Sequence, residues 1–359
     1  MQVIATKAAV LAAERKASET FTAIVLVNWN AWSDCIDCLD SLVGGVTQPW
    51  HIYLVDNASA DGSLDKIAAW CANPVRPQDA CDFPGVVRHS ASAQPTPLAV
   101  RRVDAVAQSA PALRPGCGIS LVQSGANRGF AGGNNVGIRL GLAEGAGWFW
   151  VLNTDTVVHR DALASLLERA RSAPNAGMVG STLLYHDEPE TVQAHGGASL
   201  DRDSFAASHL GIGTPARSIP TDPTATEARM DYVVGASILV SRQFVDQIGL
   251  MQEDYFLYFE ELDWAARAGG KFRLCWAPQS VVWHKVSRSS GQSDFASRLL
   301  LRNRLRFVQR FYPSRLAAVR RRVWWELLRH LLKLRFSQAR IFWGVLLASA
   351  DSRSAQPGA

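Results

Sequence analysis

Five polar clusters in this chain stand where apolar segments end or a helix begins: Asn28-Trp29-Asn30, Asp56-Asn57, Asn153-Thr154-Asp155, Trp283-His284 and Glu260-Glu261-Leu262-Asp263. A strand covered on both faces is a near-continuous apolar run, and it tolerates charge only where its backbone emerges. In open α/β sheets that carboxyl end is where ligands bind. Asp155, which follows the apolar run "FWVLN", is therefore a candidate ligand-facing acid. The stretch "NRGFAGGNN", Asn127 to Asn135, adds an element suited to phosphate. Gly132 and Gly133 let backbone approach a ligand closely, and the helix opened there favours an anion at its N-terminus. The stretch does not match G-x-G-x-x-G, which disfavours a dinucleotide site, and a tight strand-to-helix turn is the plain alternative.

The elements that must position these clusters follow from the pattern around them. "FTAIVLVNWN", "WHIYLVDNAS", "GISLVQSG", "FWVLNTD" and "GMVGSTLLY" read as buried strands, with helices such as "SDCIDCLDSLV", "DGSLDKIAAWC" and "DALASLLERARS" between them. Strand and helix in alternation predict an α/β fold with a mostly parallel sheet. "YVVGASILVSRQFVDQIG" reads as a strand plus a helix. "EDYFLYFEELDWAARAGG" reads as an aromatic loop entering an acidic helix that stops at Gly269-Gly270. "RLCWAPQSVVWHKVSRSSG" gives a strand ending at Trp283-His284 and then a polar loop. Residues 73–118, rich in Pro, Ala, Arg and Ser, read as an insertion or long surface loop. The expected organisation is a helical appendage over 1–20, a catalytic domain over 21–292, and a basic amphipathic helical region over 293–359 with a disordered end.

Composition bounds the function classes. With 359 residues and 48% hydrophobic content the chain can bury a core. The net charge of +5 is uneven. From Arg298 to Arg340 basic residues outnumber acidic ones by roughly ten, which points to an anionic partner for that region. Six cysteines show no framework spacing. Cys35-x-x-Cys38 lacks a second pair at zinc spacing and reads as two residues on one helix face. No signal peptide is evident, so a reducing cytosol is expected. Neither "AAVLAA" nor "IFWGVLLASA" approaches the roughly 20 apolar residues of a membrane span.

The order "VNWN", "VDNAS", "NRGFAGGNN", "LNTD", "VGASILV", "YFLYFEELDW" and "VWH" resembles glycosyltransferase family 2, in particular its rhamnosyltransferase-like branch. The resemblance covers approximately residues 22–310 without 73–118, and it rests on seven weak motifs in the family's order. It implies a GT-A fold and an inverting transfer of a sugar from a nucleoside diphosphate to a glycan or lipid-linked acceptor in cell-surface polysaccharide synthesis. dTDP-L-rhamnose is the donor implied by the branch. The competing functions are a catalytically silent sugar-nucleotide or glycan-binding protein and a sugar-nucleotide nucleotidyltransferase. The latter needs a signature loop after the first strand that "VNWNAW" lacks.

On that resemblance each cluster acquires a role. Trp29 offers a stacking face for the base and Asp56 an acceptor for a base N–H, with Asn28, Asn30 and Asn57 beside them. The alternative is a core Trp29, with Asp56 capping the following helix. Asn127, Arg128, Asn134 and Asn135 become contacts to diphosphate or sugar. A diphosphate calls for magnesium or manganese, and Asp155 and His284, with Asn153 in place of the family's usual first acid, form the implied metal set. Glu261 matches the family's catalytic base, one methylene longer than the usual Asp; an acidic first helical turn is the alternative. Gly235, Tyr258, Glu260 and Asp263 fall on the acceptor side. The basic tail, with Trp324 and Trp325, predicts a peripheral helix on the anionic cytoplasmic membrane face, against nucleic acid or an oligomer contact as alternatives.

Overall fold

A computed structural model describes residues 21–92, 96–105, 118–286 and 294–351. The appendage expected over 1–20, the polar loop at 287–293 and the disordered end expected after 351 lie outside the described residues. The first half of the chain builds β1 (Thr22–Asn28), α1 (Trp32–Gly45), β2 (Trp50–Asp56), α2 (Ser63–Ala72), β3 (Val100–Asp104), β4 (Ile119–Gln123), α3 (Gly129–Ala143), β5 (Trp148–Asn153), β6 (Thr156–Val158), α4 (Ala162–Ser172) and β7 (Ala176–Tyr185). Then come β8 (Val192–His195), β9 (Gly197–Leu200), β10 (Ala207–His209), α5 (Thr224–Glu227), β11 (Tyr232–Val233), β12 (Ser237–Ser241), α6 (Arg242–Ile248), α7 (Glu260–Ala268) and β13 (Arg273–His284). Helices α8 (Asp294–Phe311), α9 (Leu316–Leu332) and α10 (Phe336–Asp351) complete the chain.

The main sheet runs β3-β4-β2-β1-β5-β12-β7-β13-β6, with β8 also paired to β7. The half from β3 to β5 is all parallel, as continuous apolar runs covered on both faces require. β12 enters antiparallel between β5 and β7. The segment "YVVGASILV" therefore makes two strands, β11 in a small sheet with β9 and β10 and β12 in the main one, joined through Val234, Gly235 and Ala236. The parallel register aligns Asn28 with Asp56 and Val27 with Asn153, so three polar strand ends meet on one rim.

Helix α3 lies unusually close to this sheet. Gly133, Gly137 and Gly141 recur every four residues on one face, where a Cβ would come within 2.7, 2.5 and 2.8 Å of Val27, Val25 and Ala23. The glycines thus serve contact between helix and strand.

Residues 73–118 are more than a loop. Val100–Asp104 forms β3 on the sheet edge, and "VRRVD" mixes basic with apolar side chains over too few residues to stand out from its flanks. The 73–92 part braces the rim from two directions. Phe83 stacks on Trp283 with ring centroids 4.7 Å apart, and Arg88 donates to Asp37 at 2.6 Å and Asp40 at 3.4 Å on α1. All three charged groups are buried. Removing one member of such a set leaves an uncompensated charge. Arg88→Met is expected to cost about 3–5 kcal/mol, read as a fall in the urea midpoint at unchanged m-value; the lower end is expected because Lys285 also pairs with Asp37.

Helices α8 to α10 pack as one layer on the domain. Leu301, Leu305 and Val308 of α8 meet Val319, Val323 and Leu327 of α9, and Val345 and Leu346 of α10 join them. The opposite face leaves Trp324, Trp325, Leu328, Leu331, Leu332, Phe336 and Trp343 exposed among arginines and Lys333. Among the described residues no helix is long and apolar enough to cross a membrane.

Candidate active site

A cleft of about 840 Å³ opens at the carboxyl ends of β1, β2 and β5. Trp29, Asn30, Asn57, Asn127, Asn153, Thr154, Asp155 and Tyr258 all contribute to its wall. Trp29 is 58% exposed and so is a free aromatic face at the rim, not a core residue. Asn30 adopts φ 53° and accepts a hydrogen bond from the Ala60 amide at 2.8 Å, which fixes the turn that presents Trp29.

Other residues expected at the donor lie beneath the wall. Asp56 is buried and is consumed by the turn after β2, accepting from Asn28 Nδ2 at 2.8 Å and from the Ser59 amide at 2.9 Å. Asn28 is likewise buried. The polar end of β2 is thus a framework, and of its two residues only Asn57 reaches the cleft. Asn57 holds the start of α3 by donating to the Gly129 carbonyl at 2.9 Å. Asn135 faces away and clasps the Met251 backbone in both directions, at 2.9 and 3.0 Å. Asn134 bonds back to Phe130 within its own helix, and Arg128 is exposed with its guanidinium on the Ser124 carbonyl. Gly132 and Gly133 are interior to α3 and buried. The glycine at the cleft is Gly129, with φ 69° and a close approach to the Phe256 carbonyl that excludes any side chain. Its signal was present in the same "NRGFAGGNN" stretch, one turn earlier.

Asp155 and His284 come together as the last residues of two segments that the sequence separates widely. His284 Nε2 lies 3.2 Å from Asp155 Oδ1 and 3.3 Å from Asn153 Nδ2. Its Nδ1 lies 3.0 Å from Gln193 Oε1. If Nδ1–H donates to Gln193, Nε2 turns a lone pair toward the Asp155 carboxylate. Such a face-to-face pair of acceptors is held by a second imidazole proton or by a cation between them. Burial opposes ionisation of Asp155, but the hydrogen bond and charge of His284 prevail and hold its carboxyl below the ordinary carboxylate range. Among the described residues no group of three or more His, Cys, Asp and Glu side chains gathers as a ready metal site. One carboxylate and one imidazole would supply two ligands to a divalent cation and leave its other positions to phosphate oxygens and water; the imidazole suits manganese better than magnesium, which takes oxygen ligands. Lys285 ties this corner down, with its amide on the Asp155 carbonyl at 2.8 Å and Nζ on Asp34 and Asp37.

Glu261 lines a second cavity of about 480 Å³, with Tyr232, Leu300, Leu301 and Phe342, and Tyr258 forms the wall common to both spaces. The Gly235 backbone passes beside Glu261, where a Cβ would meet Oε1 at 3.2 Å, and the next residue, Ala236, accepts from the Asn153 amide at 3.0 Å. Glu261 is partly exposed, yet its Oε2 is enclosed and has no hydrogen-bond partner. Burial pushes its carboxyl up to about 7. Glu260 is more deeply buried, and burial together with the charge of Glu261 raises it further. Both carboxyls of this pair are therefore held above the ordinary carboxylate range, because burial disfavours their charge and two adjacent negative charges repel. Asp263 does not face this cavity. It is fully buried and bridges Arg267 at 2.6 Å and Arg310 at 2.8 Å, joining α7 to α8.

The wall between the two spaces is strained. Phe256, Tyr258 and Phe259 all take left-handed backbone, with φ of 67°, 69° and 77°. Each such residue costs of order 1–3 kcal/mol and persists only where its surroundings impose it. Asn303 of α8 imposes it, with its buried amide 2.9, 2.8 and 2.9 Å from the carbonyls of Tyr255, Leu257 and Tyr258. The sequence carried a signal for this: Ala296, Leu299, Asn303 and Phe307 share one buried helix face, and Asn303 is the polar exception on it.

Cys35 and Cys38 are both fully buried on α1. Burial pushes the Cys38 thiol up to about 12 and Cys35 in the same direction, so neither is a reactive thiolate.

A mannosyltransferase from Pyrobaculum calidifontis, solved in complex with GDP-Man and Mn2+, superposes with a TM-score of 0.50 over 94% of this chain and 76% of that one, at 14% identity. The fold is that of the GT-A glycosyltransferases. No protein-family model matches the chain. Among curated proteins the GT-A chain is 25% identical over 190 residues to the low-salt glycan biosynthesis hexosyltransferase Agl10 of Haloferax volcanii. It is 28% identical over 209 residues to an N-acetylglucosaminyl-diphospho-decaprenol L-rhamnosyltransferase of Mycobacterium tuberculosis. These matches take in 52% and 53% of this chain and span 59% and 66% of those relatives, less than two thirds of either.

Proposed function

We propose that this chain is an inverting glycosyltransferase that moves a sugar from a nucleoside diphosphate to a hydroxyl of a glycan or lipid-linked acceptor. The observation that carries the reading is the meeting of Asp155, His284 and Asn153 on a cleft whose rim bears a free Trp29, one aromatic wall away from Glu261. Trp29 stacks the base, and Asn30 and Asn127 on the same wall offer polar side chains to the diphosphate, since the first amides of α3 are held by Asn127 Oδ1 and the Phe256 carbonyl. A divalent cation held by Asp155 and His284, with Asn153 beside them, would offset the charge that develops on the departing diphosphate. Glu261 accepts the acceptor hydroxyl proton as that oxygen attacks the anomeric carbon. Inversion needs attack from the face opposite the leaving group, and the position of Glu261 on the far side of Tyr258 from the donor cleft supports this reading.

The donor we favour is dTDP-L-rhamnose, supported by the branch the motifs resemble and by the name of the mycobacterial relative. The exposed tryptophans and leucines of α9 and α10, set among arginines, support a peripheral position on an anionic membrane surface, at its cytoplasmic face. A thermal-shift screen of nucleotide sugars with and without manganese tests the reading. A ligand at a hundred times its Kd stabilises by about 2.7 kcal/mol, so dTDP-L-rhamnose with manganese should raise the midpoint more than GDP-mannose or UDP-glucose. Failure of every nucleoside diphosphate sugar to shift the midpoint would sink the assignment.

A further inference from the structure

The α9 layer contains a third cavity, of about 540 Å³, that the transfer reaction does not use. Arg202 and Asp203 reach it from the turn after β9, and Arg315, Arg322, Trp325, Glu326 and Arg329 reach it from one face of α9 and the turn before it. With Arg321 at the same wall, five guanidinium groups meet two carboxylates. Those carboxylates are poor competitors. Glu326 is engaged by Arg304 from outside the cavity at 2.8 Å, while Arg322 stands 3.8 Å from it and Arg315 stands 3.8 Å from Asp203. All five arginines are exposed and, of them, Arg202 is also engaged by Asp231, but the guanidinium is the side chain that matches a phosphate with paired, parallel hydrogen bonds. The floor is apolar, formed by Ala318 and the buried Val319, and Trp325 stands two-thirds exposed beside it.

We propose that this arginine-walled cavity is a phosphoanion site, separate from the donor cleft, that takes the phosphate headgroup of an amphiphile. Two placements support the amphiphile. Leu328, Leu331 and Leu332 extend the exposed apolar surface further along α9 from the cavity. Glu326 is also part of the wall of the Glu261 cavity, so a bound phosphate lies next to the space where the acceptor would sit. The second placement rests on the reading of Glu261 given above; the phosphate chemistry does not.

The test uses the full chain with its donor cleft saturated by dTDP, and compares the parent with Arg322→Ala/Arg329→Ala. A control, Arg335→Ala/Arg340→Ala, removes equal charge outside the cavity wall. One arm titrates inorganic pyrophosphate by calorimetry, and the other measures co-sedimentation with phosphatidylcholine vesicles containing phosphatidic acid. The cavity variant should lose about tenfold in affinity where the control loses little, with dTDP affinity unchanged in both. Loss in the vesicle arm supports a lipid headgroup, and loss with pyrophosphate alone overturns the amphiphile in favour of a soluble phosphoanion. Equal losses in cavity variant and control, or none in either arm, overturn the site. Neither arm reads sugar transfer, and the comparison of cavity variant with control holds whether or not dTDP occupies the cleft, so a failed glycosyltransferase assignment leaves this result intact.

Discussion

Asp155→Ala is expected to lower sugar transfer by at least about 10³-fold, equivalent to roughly 4 kcal/mol of transition-state stabilisation, while leaving the fold in place. The two halves of this expectation have separate causes. The carboxylate is one of two ionisable groups at the rim that face each other across 3.2 Å, and among the described residues no group of three or more His, Cys, Asp and Glu side chains gathers as a metal site. Its structural contribution is small. The carboxylate is partly open to solvent, and the bond that ties the rim to Lys285 uses the Asp155 carbonyl, which alanine keeps. Alanine also removes the burial penalty that opposes ionisation of this carboxylate, which offsets the lost contact with His284, so the melting midpoint should move by no more than about 2–4 °C. Manganese-dependent stabilisation by the nucleotide sugar should disappear in the variant. Transfer within tenfold of the parent would show that the rim pair is a structural contact.

The parts of this site that were legible in the sequence share a physical property. Buried parallel strands must be apolar until they end, so Asn153 and Asp155 announce a rim from their position alone, and His284 does so at the end of a strand 131 residues later. The parts misread are polar or small residues whose partners are remote. Asn135 looks like a ligand contact beside the glycines, yet its partner Met251 is 116 positions away. Gly132 and Gly133 read as a phosphate turn because their neighbours in sequence include Asn and Arg, while the atoms they accommodate belong to Val27, Asn57 and the side chain of Arg128. Asp263 sits in an acidic helical turn with Glu260 and Glu261, but two residues after Glu261 helical rotation turns it away from that side chain, toward Arg267 and Arg310. Within one cluster, then, the sequence shows that acids are concentrated and the packing decides which of them faces a cavity.

That division within the acidic turn leads to the second large effect. Glu261→Gln is expected to reduce kcat by about 10²–10⁴-fold without loss of donor affinity, since Glu261 lines the cavity beyond Tyr258 and not the donor cleft. The pH dependence makes the assignment specific. With the carboxyl raised to about 7, the parent should gain activity as pH rises and level off above that value, and the Gln variant should lose this limb. Stability moves the other way. A carboxyl with a raised folded-state pKa binds its proton more tightly in the native state than in the unfolded chain. Its contribution is complete below the unfolded value and is lost as pH rises through the folded one. At pH 8 the parent therefore carries an unfavourable enclosed charge, on an Oε2 without a partner, that glutamine does not carry. The variant should melt no lower than the parent at pH 8 and lose this advantage toward pH 4. An inactive enzyme that is at least as stable as its parent cannot owe its inactivity to unfolding, which leaves the missing proton acceptor as the cause.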